Sequence, residues 1–143
     1  MSCSGSQDGS LTFMVRTVWL SMRSAIGEEL KDFGLTTSQY ATLMMTQEQP
    51  GKSVTDIARD VGSTRQAANE MLGGLEKAGL IERRPHPTDR RTHQIYVTDA
   101  GRAIYTEAHA AVGRREAELE AGFTPEQRAA VREWLGGMAE ACR

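Results

Sequence analysis

Cysteine is almost missing from this sequence: of 143 residues only Cys3 and Cys142 carry a thiol, and they stand near opposite chain ends. That is too few for a disulfide scaffold and the wrong spacing for a zinc ribbon. Nothing beside Cys3 would activate its thiol, so the two read as incidental cysteines rather than as a peroxide sensor. Histidine is scarce too. His86, His93 and His109 lack the neighbouring Cys, Asp or Glu pattern of a zinc or hydrolytic site, which argues against an enzyme and gives no cofactor to expect. No apolar run reaches the roughly 18 to 20 residues that a membrane span needs; the best, Leu11 to Leu20, is interrupted by Arg16. Residues 1–10 are polar and rich in Gly and Ser, without the basic start and apolar core of a signal peptide. They are expected to form a flexible tail on a cytoplasmic protein. An excess of positive charge is also missing, since 17 Lys and Arg face 19 Asp and Glu for a net charge of -2. This argues against wholesale coating of nucleic acid but not against a local basic site.

What the sequence does have is legible helix starts. Thr36 to Gln39, Ser53 to Asp56, Ser63 to Gln66 and Thr124 to Gln127 each begin with Ser or Thr and carry Gln or Asp three residues on, the pattern of a capping box. Pro125 at a first helical position strengthens the last of them. Ahead of the first cap, Leu11, Val15, Val18, Trp19, Met22, Ile26, Leu30 and Phe33 follow steps of three and four, predicting one long helix that stops at Gly34. Further helices are predicted from Thr37 to about Gln47, from Val54 to Asp60, and from Thr64 to Lys77 or Ala78.

Then the period changes. Leu80–Arg84 and Thr92–Val97 read as short strands, with Ile81, Ile95 and Val97 on the packed face, joined by a charged loop from Pro85 to Arg91. Such a hairpin is too small to stand alone and must lean on the helices before it. Thr98 caps another long helix, about Asp99 to Leu119, and a last one runs from Pro125 to Ala141. The fold class is therefore mainly α with a small β-hairpin wing.

The helices between Thr37 and Lys77 carry a helix-turn-helix pattern, with the glycine-containing turn Asp60-Val61-Gly62-Ser63. In the helix after that turn, Ala68, Met71, Leu72 and Leu75 share one face. Thr64, Arg65, Gln66 and Asn69 are left outside, at the end where base edges would be met. Arginine suits guanine O6 and N7, whereas Gln and Asn suit adenine N6 and N7. Ser63 and the first-turn amides would accept a phosphate. Polar residues on a surface helix mean little by themselves; the hairpin that follows gives them weight. Arg83, Arg84, His86, Arg90, Arg91 and His93 fall within eleven residues, against the single acid Asp89. Arg90 or Arg91 is the expected groove-inserting side chain, and Asp89 the expected structural partner that holds the loop. Glu70, beside Asn69, would repel phosphate if it pointed outward.

The stretches Leu35–Tyr40, Asp56–Ala58, Leu75–Arg84, Asp89-Arg90-Arg91 and Val97–Gly101 closely resemble the MarR family of transcription regulators, most strongly between Leu35 and Gly101. The resemblance implies a winged helix-turn-helix over residues 35–98, flanked by dimerisation helices at 11–34 and 99–143. It implies a homodimer on a pseudo-palindromic operator in double-stranded DNA, usually a repressor, released by a small phenolic or anionic ligand. Ser63, Thr64, Arg65, Gln66 and Asn69 would meet DNA from the helix, and Arg84, Arg90 and Arg91 from the wing.

Dimerisation is also expected from the residues themselves, because Trp19, Trp134 and the long apolar stripes lie outside the DNA lobe and need covering. A ligand pocket is a weaker expectation. Trp19, Met22, Tyr40, Met44 and Met45 are placed to converge beneath the DNA lobe, with Arg16 and Arg23 to attract an anion, although plain core is the more ordinary use of such residues. A redox- or metal-responsive regulator of the same fold is the alternative, and a small enzyme the remote one.

Overall fold

The protein is known from a computed structural model, of which residues 9–143 are described. Cys3 and most of the expected tail lie outside the described residues. Six helices and one hairpin follow in order: α1 (Leu11–Leu30), a 3-10 turn (Lys31–Phe33), α2 (Thr37–Glu48), α3 (Val54–Val61), α4 (Arg65–Lys77), β1 (Ile81–Pro85), β2 (His93–Val97), α5 (Asp99–Leu119) and α6 (Pro125–Ala141). This is the mainly helical architecture with a two-stranded wing that the sequence predicts. The chain divides into two compact units, the first up to Val112 and the second Gly113–Arg143.

The first unit has one apolar core. Leu30, Leu35, Leu43, Ile57, Leu72, Leu75, Ile81, Ile95, Val97, Ala108 and Val112 pack together, so α2, α3, α4, both strands and the first part of α5 share a single buried centre. The strands pair antiparallel with Ile81 opposite Val97 and Arg83 opposite Ile95. Because side chains alternate along a strand, the face carrying Ile81, Ile95 and Val97 turns into the core. The wing is anchored further by the segment before α3, where Lys52 and Ile95 form an isolated antiparallel bridge. Sequence reading misses that pairing, since a single residue shows no strand period.

Three of the four expected capping boxes form, at Thr36, Ser53 and Thr124. The fourth does not form, and α4 starts one residue later with a simple cap. Gly62 takes the left-handed conformation at φ 68°, and Ser63 donates its backbone N–H to the carbonyl of Ala58 at 2.9 Å. That backbone bond closes the turn, and Thr64 caps α4, accepting from the Ala67 amide at 3.1 Å. The long first helix is also shorter than predicted: it tightens into the 3-10 turn at Lys31 before Gly34 stops it in the left-handed region.

The start of α5 is held against the start of the wing. Thr98 donates its N–H to the carbonyl of Leu80 at 3.1 Å and its hydroxyl to that of Gly79 at 2.7 Å, while accepting from the Gly101 amide. A Cβ at Gly101 would sit 2.1 Å from the Leu80 carbonyl oxygen, so only glycine admits this approach.

The second unit consists of the end of α5, the connecting turn and α6. Arg128 donates to the Glu120 carbonyl at the end of α5, and Arg132 pairs with the Glu120 carboxylate. Those bonds fix the corner between the helices by satisfying a carbonyl that helix geometry leaves open.

Candidate nucleic-acid interface

Helix α4 is sorted by face. Ala68, Leu72 and Leu75 are buried, while Ser63, Thr64, Arg65, Gln66 and Asn69 are exposed around its first two turns. Facing them is a cleft of about 430 Å³. Ser53, Val54 and Thr55 from the start of α3 line it, with Arg65, Gln66 and Asn69 from α4 and Arg83, Arg91, Thr92 and His93 from the wing. Three arginines thus line one concavity, and no Asp or Glu is among its lining residues.

The wing tip is built by its own side chains. His86 Nδ1 accepts from the backbone N–H groups of Thr88 and Asp89 at 3.2 and 3.0 Å, tying the loop into a turn. Asp89 then accepts the Arg91 amide at 3.0 Å, and its carboxylate lies 3.5 Å from the Arg91 guanidinium. Arg91 still stands 92% exposed, and Arg90 is exposed beside it. At the cleft's other rim Asp56 completes the α3 cap. Its carboxyl is held below the ordinary carboxylate range chiefly by the Ser53 backbone N–H, against some desolvation, with help from the Ser53 hydroxyl and the charges of Arg59 and Lys52.

The structure does not bring every candidate to this cleft. Arg84 lies on the opposite face of the hairpin, where it pairs with Glu82 and its guanidinium carbon sits 3.9 Å from the centre of the Tyr96 ring. Arg83 and His93 take the cleft-facing positions instead. The signal was present in the sequence: with Ile81 inward, alternation puts Arg83 on the inner face and Arg84 on the outer. Arg83 donates from Nη1 to Asn69 Oδ1 at 2.8 Å and from Nη2 to the Asn69 carbonyl at 3.4 Å. Its Nε lies 3.5 Å from Glu76, close enough for an ion pair but outside hydrogen-bond geometry.

The six candidate ligand-pocket residues occupy two settings, and none of them lines this cleft. Arg16, Trp19, Met22 and Arg23 stand exposed on α1. Met44 is half-buried, and Tyr40 shares a hydrogen bond of 2.9 Å with His109 Nδ1 and stacks on Tyr105, ring centres 5.2 Å apart. His109 as a partner of Tyr40 was not readable from sequence, because the pairing spans 69 residues. Among the described residues no cluster of His, Cys, Asp and Glu has the makings of a metal site, and no helix is long and apolar enough to cross a membrane. Cys142 is an exposed free thiol.

The sequence profile described as MarR family matches residues 33–92. An HTH-type transcriptional repressor of Mycobacterium tuberculosis is 32% identical over 122 residues, covering 85% of this chain and 88% of that protein. The chain belongs to the MarR family. It is accordingly a transcription regulator and not an enzyme. Among solved structures, the transcriptional repressor CouR bound to a 23-mer DNA duplex is 30% identical with a TM-score of 0.82, covering 90% of this chain and 92% of that one. A Mycobacterium tuberculosis MarR family protein in complex with salicylic acid is 29% identical with a TM-score of 0.79, over 92% of this chain and 98% of that one.

Proposed function

We propose that this MarR-family chain represses transcription in the cytoplasm by binding a pseudo-palindromic operator as a homodimer, with α4 in the major groove and the wing on the flanking backbone. The observation that carries this reading is the cleft between α4 and the wing whose lining includes Arg65, Arg83 and Arg91 and no Asp or Glu. Thr64, Arg65, Gln66 and Asn69 are the base-facing residues, Ser63 and the first-turn amides take a phosphate, and Arg90 and Arg91 reach beyond the helix to the neighbouring groove or its phosphates. Arg84, occupied by Glu82 and Tyr96, reaches phosphate only from the outer side of the wing. Residues 35–98 form the reading lobe in this scheme, and 11–34 with 99–143 the pairing helices.

Pairing is supported by apolar surface that a monomer leaves in water. On α1, Phe13, Met14, Val18 and Trp19 are about half exposed or more, and Val131, Trp134 and Leu135 on α6 are similarly open. Exposed apolar clusters of this kind mark association surfaces. Two-fold pairing then makes the operator palindromic. A small phenolic or anionic effector that lowers DNA affinity fits the salicylic acid complex of the mycobacterial relative, with Trp19, Met22, Tyr40 and Met44 as its apolar and aromatic surfaces and Arg16 and Arg23 as the cations.

Fluorescence anisotropy against the promoter DNA flanking its own gene tests the reading directly. Binding should be specific and fall steeply with salt, log K dropping by about 0.9 per neutralised phosphate for each decade of salt. Salicylate should weaken it. Equal affinity for unrelated duplexes at every salt concentration would overturn the proposal.

A further inference from the structure

The carboxylates around the reading helix are paired off, with one exception. Six acids lie between the start of α3 and the end of β2: Asp56, Asp60, Glu70, Glu76, Glu82 and Asp89. Five have a cation beside them: Asp56 has Arg59, Asp60 has Lys52, Glu76 has Arg83, Glu82 has Arg84 and Asp89 has Arg91. Among the described residues only the Glu70 side chain, of these six, forms no ion pair or hydrogen bond. Its place on α4 is equally distinct. Ala68, Leu72 and Leu75 mark the buried side, and at about 100° per residue the line opposite them runs through Gln66, Glu70, Gly73 and Lys77. Gln66, Glu70 and Lys77 are exposed, and a Cβ at Gly73 would meet nothing within 4 Å. This line is the outermost edge of the helix, and one turn beyond Glu70 it is bare backbone that leaves room for a duplex to come close.

A carboxylate in that place is a poor phosphate ligand and a selective base ligand. An α4 lying in the major groove brings its outermost line to the base edges. There a carboxylate accepts and cannot donate. Guanine offers O6 and N7, and thymine offers O4 beside a methyl group, so both present acceptors to an acceptor. Adenine sets its N6 donor next to the N7 acceptor, which suits an amide and not a carboxylate. Cytosine N4 remains, a donor with no acceptor beside it on its own base edge.

We propose that Glu70 is a specificity-determining residue that accepts a hydrogen bond from a cytosine N4 amine, so that the operator carries cytosine where Glu70 meets it. The inference rests on the DNA-reading assignment of α4 and deepens it, adding a reader outside the cleft that Arg65, Gln66 and Asn69 line. It also gives an unpaired acid on this helix a use, since its repulsion of the other base edges works against the wrong duplexes.

Selection of duplexes from a randomised half-site library by the full-length protein decides the matter. The wild type should favour cytosine over guanine or thymine by about tenfold at one position. Glu70→Ala should flatten the preference there and leave the other positions unchanged. Glu70→Gln, which adds a donor at the same length, should turn that position to adenine. With no partner in the chain to lose, both variants should keep the parent's thermal midpoint; a markedly lower one would mean that Glu70 serves the fold and would overturn the proposal. A Glu70→Ala protein that changes no position also overturns it, as does any wild-type base other than cytosine at the position changed. Tighter binding of all duplexes alike would do the same, because that is repulsion without reading. Failure of the parent to enrich any duplex would instead remove the DNA-reading assignment itself, and this inference with it.

Discussion

The reading lobe and the outer helices treat their apolar residues in opposite ways. In the lobe, Leu72, Leu75, Ile81 and Ile95 are all at or below 2% exposure, packed around one centre. On α1 and α6, Trp19, Val18, Val131 and Leu135 are more than half exposed. Both regions are helical and both open with capped helices, so local propensity does not separate them. What separates them is whether the chain supplies the covering surface itself. The lobe's core is closed within the chain, with Leu30 of α1 and Ala108 and Val112 of α5 joining it; the apolar side chains on the rest of α1 and on α6 stay open, and under the proposed function a second copy of the chain covers them.

The largest effect that would break this contrast is at Gly101. Its Cβ position is filled by the backbone of Leu80 and the side chain of Val97, and neither is a flexible end that can move aside. Gly101→Ala should destabilise the protein by on the order of 3 kcal/mol, visible as a lower midpoint in denaturant unfolding. Gly136→Ala on α6, where nothing lies within 4 Å of the added methyl, should be neutral or mildly stabilising. Equal behaviour of the two would mean the junction of α5 with the wing is not the tightly fixed region described.

Next comes the covering of the outer helices. Trp19→Glu combined with Trp134→Glu places charges where the proposed dimer buries apolar surface, at a cost of several kcal/mol per interface by the usual penalty for unpaired buried charge. Sedimentation should show the double variant as a monomer at concentrations where the parent is a dimer, with operator affinity falling at least tenfold. A double variant that still sediments as a dimer would move the interface elsewhere.

Within the lobe the predicted losses are smaller and differ in kind. Arg65→Ala should relax base preference at one position, costing about 1 to 3 kcal/mol. Arg91→Ala should weaken all duplexes evenly and reduce the salt slope by about one. If Arg91→Ala altered sequence preference instead, the wing would be reading bases and the division of labour between helix and wing would need redrawing.

Much of this lobe was legible because its signals are local. Two capping boxes, at Thr36 and Ser53, the hairpin's packed residues Ile81, Ile95 and Val97, and the glycine that ends α3 all stand where periodicity and cap chemistry put them. Where the sequence misled, a tertiary bond was competing. Ser63 looks like a cap, yet the turn takes it and hands the cap to Thr64. Arg84 looks as available as Arg83, yet register puts them on opposite faces, one stacked on Tyr96 and one braced to Asn69. His86 reads as part of a basic run, but its ring nitrogen ties the wing turn by accepting backbone amides. In each case the residue type was plain and its partner was not.

The smallest expected effects are electrostatic, and one carboxylate in each region supplies them. Asp56 at the start of α3 and Glu120 at the end of α5 are both held below the ordinary carboxylate range, Asp56 first by the Ser53 backbone amide and Glu120 first by its hydrogen bonds from Arg132. A group whose pKa is lowered on folding stabilises the protein above its unfolded value and loses that contribution as pH falls through the folded one. Both effects are therefore present at pH 7 and fade below about pH 4. They should differ in consequence. Asp56→Asn keeps an acceptor for the Ser53 amide and forfeits only charge at a helix N-terminus, so it should cost about 0.5 kcal/mol at neutral pH, a cost that disappears as pH falls through the titration of the folded Asp56 carboxyl. Glu120→Gln should leave unfolding of the lobe unchanged and instead loosen the corner with α6, read as faster amide hydrogen exchange there at pH 7 than in the parent. The two proteins should converge, once corrected for the chemistry of exchange, as the parent's own carboxylate protonates. If the same variant lowered the lobe's stability, the two regions would not be energetically separate, and the contrast drawn from their burial would fail.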